Sequence, residues 1–118
     1  MSKNPREMLN EFTSGVQAVS KTNGKEMKAF MNFLGETSKE GSIDVKTKEL
    51  ISIGIAVFSR CEYCIVCHAY NALKAGATPE EIMEAAMVAS GFGGGPTIAY
   101  SVTLLKDSLE EFKDDFKK

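Results

Sequence analysis

An all-α fold of about six helices is what this sequence predicts, and three observations carry the expectation. Apolar residues recur at three- and four-residue spacing, segments open on cap residues followed by proline or carboxylates, and glycines close them. No stretch reads as a strand. Asn4 caps a first helix with Pro5 at its first position and Glu7 closing a capping box; it runs to about Val19, and Asn23-Gly24 stops it. Met27, Phe30, Met31 and Leu34 give a second, amphipathic helix that Gly35 to Gly41 should end. Asp44 opens a third over Val45 to Phe58, whose nearly continuous apolar second half is expected in a core or an oligomer interface. Ser59 with Glu62 three residues later reads as a capping box opening the fourth, which Gly76 ends. Thr78-Pro79-Glu80-Glu81 opens the fifth, where Ile82 is followed by Ala85, Ala86 and Ala89, small residues that permit close helix approach. Gly91 to Gly95 reads as a turn between helices. Pro96 begins the last helix, which ends in the charged tail Glu110 to Lys118.

The chain has 118 residues, long enough for a single domain over 1–118 that buries roughly two-thirds of its unfolded surface. Hydrophobic residues make up 43% and charged residues 25%, the balance of a soluble globular protein. A net charge of −2 leaves no basic excess for nucleic acid or an anionic membrane. The longest apolar stretch, Leu50 to Phe58, is broken by Ser52 and Gly54 and is too short to span a bilayer. Residues 1–7 show no apolar signal region, so a cytoplasmic, reducing location is expected.

The only histidine and all three cysteines fall within eight residues, Cys61-Glu62-Tyr63-Cys64-Ile65-Val66-Cys67-His68. On a helix, Cys64 and His68 lie within about 40° of each other, one turn apart. Cys61 lies within about 60° of Cys64 on the same side. One face thus presents a CxxC pair with an imidazole beneath it. The pair can close a disulfide across one turn, and the imidazole can take a thiol proton. A helix start also favours thiolate, lowering the pKa from about 8.5. Helix-end electrostatics favours Cys61 as the attacking sulfur, whereas proximity to a base favours Cys64; the spacing does not decide between them.

Other uses of the cluster meet physical objections. Cys67, about 120° around the helix from Cys61, reads first as a small buried apolar residue. Cys64 to His68 also spells the CxxCH of haem attachment, but the chain lacks a second histidine to serve as axial ligand. Three thiolates and one imidazole form a Cys3His set. Four ligands within two turns of one helix strain to make a tetrahedron, so no metal and no cofactor is expected. Phe92-Gly93-Gly94-Gly95 lacks both the Lys-Ser/Thr ending and the preceding strand of a phosphate loop. Glu49, taken alone, reads as a solvated carboxylate paired with Lys46 or Lys48.

Glu49, eleven residues, Cys61-x-x-Cys64, three residues, then His68: this spacing resembles the alkyl hydroperoxidase D-like branch of the carboxymuconolactone decarboxylase family. The flanks Asp44-Val45-Lys46-Thr47-Lys48-Glu49-Leu50 and His68 to Ile82 resemble it as well, and the likeness covers about residues 40 to 105. The resemblance implies an alkyl hydroperoxidase D-like helical bundle and a proton relay. In that relay Glu49 assists His68, His68 takes the proton of Cys64, Cys64 attacks a peroxide, and Cys61 resolves the sulfenic acid to a Cys61–Cys64 disulfide. It also implies a small peroxide or disulfide as substrate, an external thiol reductant, and a homo-oligomer, trimer or hexamer. Tyr63 stands where members of the family often carry a second histidine, and Cys67 is additional. The alternatives are a cofactor-free lyase using the same pocket, as in the lactone decarboxylase branch, and a thiolate metal-binding module.

Overall fold

The computed structural model describes residues 4–117. Residues 1–3, part of the segment read for a signal region, and residue 118 of the charged tail lie outside the described residues. Helix α1 is Pro5–Ser20, α2 Gly24–Ser38, α3 Val45–Ser59, α4 Glu62–Lys74 and α5 Pro79–Gly93. They are followed by α6, Gly95–Tyr100, a π-helical segment, Ser101–Leu105, and α7, Lys106–Phe112. The last three run on without a break, so six rods form the molecule, and no strand occurs among the described residues.

The expected starts are largely in place. Asn4 Oδ1 accepts from the Glu7 N–H at 2.8 Å, and Asp44 Oδ1 accepts from the Thr47 N–H at 2.8 Å. Thr78 and Glu81 form a full capping box. One start differs. Ser59 remains in α3, where its hydroxyl donates to the Ala56 carbonyl, and Arg60 closes that helix at φ 57°, ψ 38°. Cys61, not Ser59, is therefore the cap of α4. A left-handed arginine marks this corner, and the sequence flags no glycine there. α2 ends at Ser38, inside the expected Gly35 to Gly41 stretch. One stop differs as well: α5 runs through Gly91 to Gly93, so only Gly94, at φ 67°, makes the turn. At Gly93 a Cβ would sit 1.8 Å from Thr97 Oγ1, so only glycine fits there.

α3 is the central rod, packed against both α4 and α5. Ile53, Ala56 and Val57 of α3 meet Ile65, Val66, Ala69 and Ala72 of α4, Ile82 and Ala86 of α5, and Leu105 and Phe112 of the last rod in one core. Full burial of each larger side chain contributes about 1.5–3 kcal/mol. Gly54 faces Ala85 and Ala89, which lets α3 and α5 lie close, as the small residues of α5 led us to expect. The other side of α3 faces outward, with Ile51, Ile55 and Phe58 exposed. The two ends of the chain are tied together. Arg6 of α1 reaches Glu111 at 2.7 Å and Asp115 at 2.9 Å, and its guanidinium lies 5.1 Å over the Phe112 ring. No helix among the described residues is long and apolar enough to cross a membrane.

Candidate active site

Antiparallel packing of α3 and α4 brings a carboxylate from one helix under the cysteine turn of the other. Glu49, in the second turn of α3, is only 5% exposed. Its Oε1 lies 2.8 Å from Nδ1 of His68 on α4. Lys46 and Lys48 are engaged elsewhere, Lys46 with Glu81 at 2.9 Å and Lys48 with the Lys39 carbonyl. The solvated reading of Glu49 therefore does not hold. A carboxylate at this depth needs a hydrogen-bonding partner, and the imidazole supplies one. When Nδ1–H donates to Glu49, Nε2 is left as the acceptor, so the carboxylate selects the tautomer able to receive a proton.

The sulfurs stand one and two turns above that imidazole. Cys61 caps α4, its Sγ accepting from the Cys64 N–H at 3.3 Å. Cys61 and Cys64 are joined as a disulfide with their Cα atoms 5.2 Å apart, a span that needs no backbone movement to bridge. Cys64 packs half-buried against the core. Once reduced, both thiols lie at a helix start, where the first N–H groups stabilise a thiolate. Cys67 is a free thiol, half-buried, and burial pushes it above the ordinary thiol range. It lacks the electrostatic help that the helix start gives the other two.

All four predicted site residues, Glu49, Cys61, Cys64 and His68, thus belong to one α3–α4 corner. Tyr63, between the sulfurs, directs its hydroxyl to Glu11 of α1. This contact escaped the sequence reading, because 52 residues separate the partners and nothing local marks the pair. Among the described residues, no three His, Cys, Asp or Glu side chains are grouped so as to hold a metal ion.

The sequence pattern of the carboxymuconolactone decarboxylase family matches residues 25–107. The chain is similar to a solved carboxymuconolactone decarboxylase family protein of Legionella pneumophila, with a TM-score of 0.87 and 32% identity over 93% of this chain and 97% of that one. It is similar also to a Thermotoga maritima protein of the same family, one with a possible part in the antioxidative response. There the TM-score is 0.65 and the identity 33%, over 76% of this chain and 95% of that one. An uncharacterized protein of Cupriavidus necator is 29% identical over 101 residues, 86% of this chain and 89% of the relative. A glutamate, a CxxC disulfide and a histidine on two packed helices agree with the alkyl hydroperoxidase D-like branch. The match over most of its length and the shared helical bundle together place this chain in the carboxymuconolactone decarboxylase family.

Proposed function

We propose that the protein is a thiol-dependent peroxidase or disulfide reductase working through Cys61 and Cys64. One observation carries the reading: the buried Glu49 carboxylate bonded to His68 one turn below the CxxC pair. His68 Nε2 takes the Cys64 proton, directly or through one water, and Glu49 stabilises the imidazolium. The Cys64 thiolate attacks one peroxide oxygen, the O–O bond breaks, and the alkoxide leaves with the proton held by His68. Cys64 is then a sulfenic acid. Cys61 attacks that sulfur, water leaves, and the Cys61–Cys64 disulfide results. Two electrons from an external thiol system restore the pair.

Substrates are small peroxides or disulfides, and the setting is a reducing, cytoplasmic one. The protein works as a homo-oligomer, a trimer or hexamer in the family manner. Support for assembly comes from the outward apolar side chains of three helices: Phe30 and Phe33 of α2, Ile55 and Phe58 of α3, and Val88 and Phe92 of α5, each at least half exposed. The test is steady-state consumption of an alkyl hydroperoxide with a dithiol reductant. Cys64→Ser is expected to lower turnover by about a thousandfold or more, as loss of a nucleophile does. Turnover that survives in the Cys61→Ser/Cys64→Ser double variant contradicts the proposal.

A further inference from the structure

The start of α4 is built differently from the other capped starts. α1, α3 and α5 open on side-chain oxygens, those of Asn4, Asp44 and Thr78. α4 opens on the Cys61 sulfur, which accepts from the Cys64 N–H at 3.3 Å, and sulfur is a weak acceptor. The first turn of a helix is also its least secured, because its N–H groups lack intrahelical partners. Both redox sulfurs belong to that turn, Cys61 as the cap and Cys64 in the helix. Cys61 is fixed from behind, where its N–H donates to the Ala56 carbonyl at 3.1 Å. Glu62 and Tyr63, which join it to Cys64, lie in the stretch that a sulfur cap leaves weakly held.

Tyr63 carries a tether from outside the helix. Its hydroxyl donates to the Glu11 carboxylate of α1. That helix is a firm anchor. Met8, one turn before Glu11, is buried in the core, and Arg6 is paired with both Glu111 and Asp115. The tether thus joins the turn that bears the disulfide to a helix held at the core and at the far end of the chain.

We infer that Tyr63 and Glu11 are positioning residues of the redox pair: they hold the turn between Cys61 and Cys64 in the shape the disulfide needs, and so make the bond harder to reduce. This assignment rests on the redox reading above and adds to it what sets the poise of the pair. The closed bond already constrains the turn, so the tether changes little there. In the reduced protein the turn can open, and closing the bond must remove that freedom. A tether that restricts the reduced turn lowers this cost, as preorganisation does in binding. In exchange with glutathione, the Cys61 and Cys64 thiols give two electrons and two protons to glutathione disulfide, which leaves as two thiols. Tyr63 and Glu11 exchange no atoms in this step.

The experiment equilibrates the protein in glutathione buffers of graded ratio and counts the trapped Cys61 and Cys64 thiols by mass. The equilibrium constant for closing the bond follows. Tyr63→Phe, which removes only the hydroxyl, and Glu11→Ala are each expected to lower it about fivefold, a rise in potential of about 20 mV. The two changes together should lower it no further than one does, since both break the same contact. Glu11→Gln keeps an acceptor oxygen for the Tyr63 hydroxyl and should keep most of the wild-type constant. Thermal unfolding of each oxidised protein separates a purely structural role, which lowers the melting temperature and leaves the potential where it was. A potential unmoved or lowered in Tyr63→Phe overturns the assignment, as does a double variant whose shift is the sum of the single ones. Peroxide turnover by the wild type then keeps the redox reading standing. A Cys61–Cys64 bond that no glutathione buffer opens or closes overturns both.

Discussion

α2 and α3 are both fifteen residues long and both carry an apolar face, yet they use it in opposite ways. α3 lies between α4 and α5, and Ile53, Ala56 and Val57 vanish from solvent. That burial fixes the rotation of the helix, which in turn aims Glu49 at His68. α2 lies at the edge with no buried residue at all, and Phe30 and Phe33 are 56% and 62% exposed. Amphipathic pattern alone therefore says that a face will be covered, not what covers it. The Glu49–His68–cysteine corner is complete within one chain, whereas the apolar face of α2 is left uncovered by it. Four half-exposed phenylalanines, Phe30, Phe33, Phe58 and Phe92, each bring about 200 Å² of apolar side chain. Their combined exposed surface approaches the roughly 800 Å² per partner of a stable interface once Ile55 and Val88 are added.

Breaking the complete corner should produce the larger effects. Glu49→Gln keeps the shape of the side chain and removes the carboxylate that fixes the His68 tautomer. Peroxide kcat/KM is expected to drop about a hundredfold, on the scale of general-base catalysis. Thermal unfolding run in parallel shows whether the fold is kept. Breaking the incomplete face should spare the corner. Phe30→Glu with Phe33→Glu is expected to raise the dissociation constant of the proposed homo-oligomer about thirtyfold or more, the scale of lost hot spots. Analytical ultracentrifugation checks this, and the Cys61–Cys64 pair should still cycle in the dissociated chains.

A finer contrast lies inside α4. Cys64 and Cys67 are one turn apart, but only Cys64 shares the helix start and the imidazole. In fully reduced protein at neutral pH, iodoacetamide should modify Cys67 about tenfold more slowly than Cys64. Since burial holds the Cys67 thiol high, that gap should narrow only as pH rises beyond the ordinary thiol range. Equal rates would place the two thiols in one environment.

The smallest expected effect concerns the start of α3. Asp44 is held below the usual carboxylate range by the hydrogen bonds it accepts from Thr47. A lowered folded value means the cap contributes fully above the unfolded carboxylate pKa and is lost as pH falls through the folded one. The stability gap between wild type and Asp44→Ala should therefore be constant near neutrality and shrink in acid, as denaturant titrations at a series of pH values would read.

Much of this was legible in the residues because short-range physics marks it. Capping oxygens set the starts of α1, α3 and α5, with a carboxylate three residues on in α1 and α5. Periodicity set the rods, and i, i+4 spacing put His68 under Cys64. What escaped was set at long range or by backbone geometry. The left-handed Arg60 shifts the α4 cap from Ser59 to Cys61, and no residue type announces that conformation. Thr97 and Phe58 lie close against the backbone at Gly93, where α5 continues past the point its glycines were expected to end it. The Tyr63–Glu11 contact joins rods far apart in sequence. Glu49 was found only through its resemblance to a family pattern, since nothing in its own neighbourhood distinguishes it from a solvated carboxylate.

The most direct measurement is mass mapping of fully reduced protein treated with one equivalent of hydrogen peroxide, in wild type and in Glu49→Gln. A Cys61–Cys64 bond with Cys67 free is expected, formed far more slowly in the variant. Three free thiols after peroxide, or equal rates in the two proteins, would contradict it.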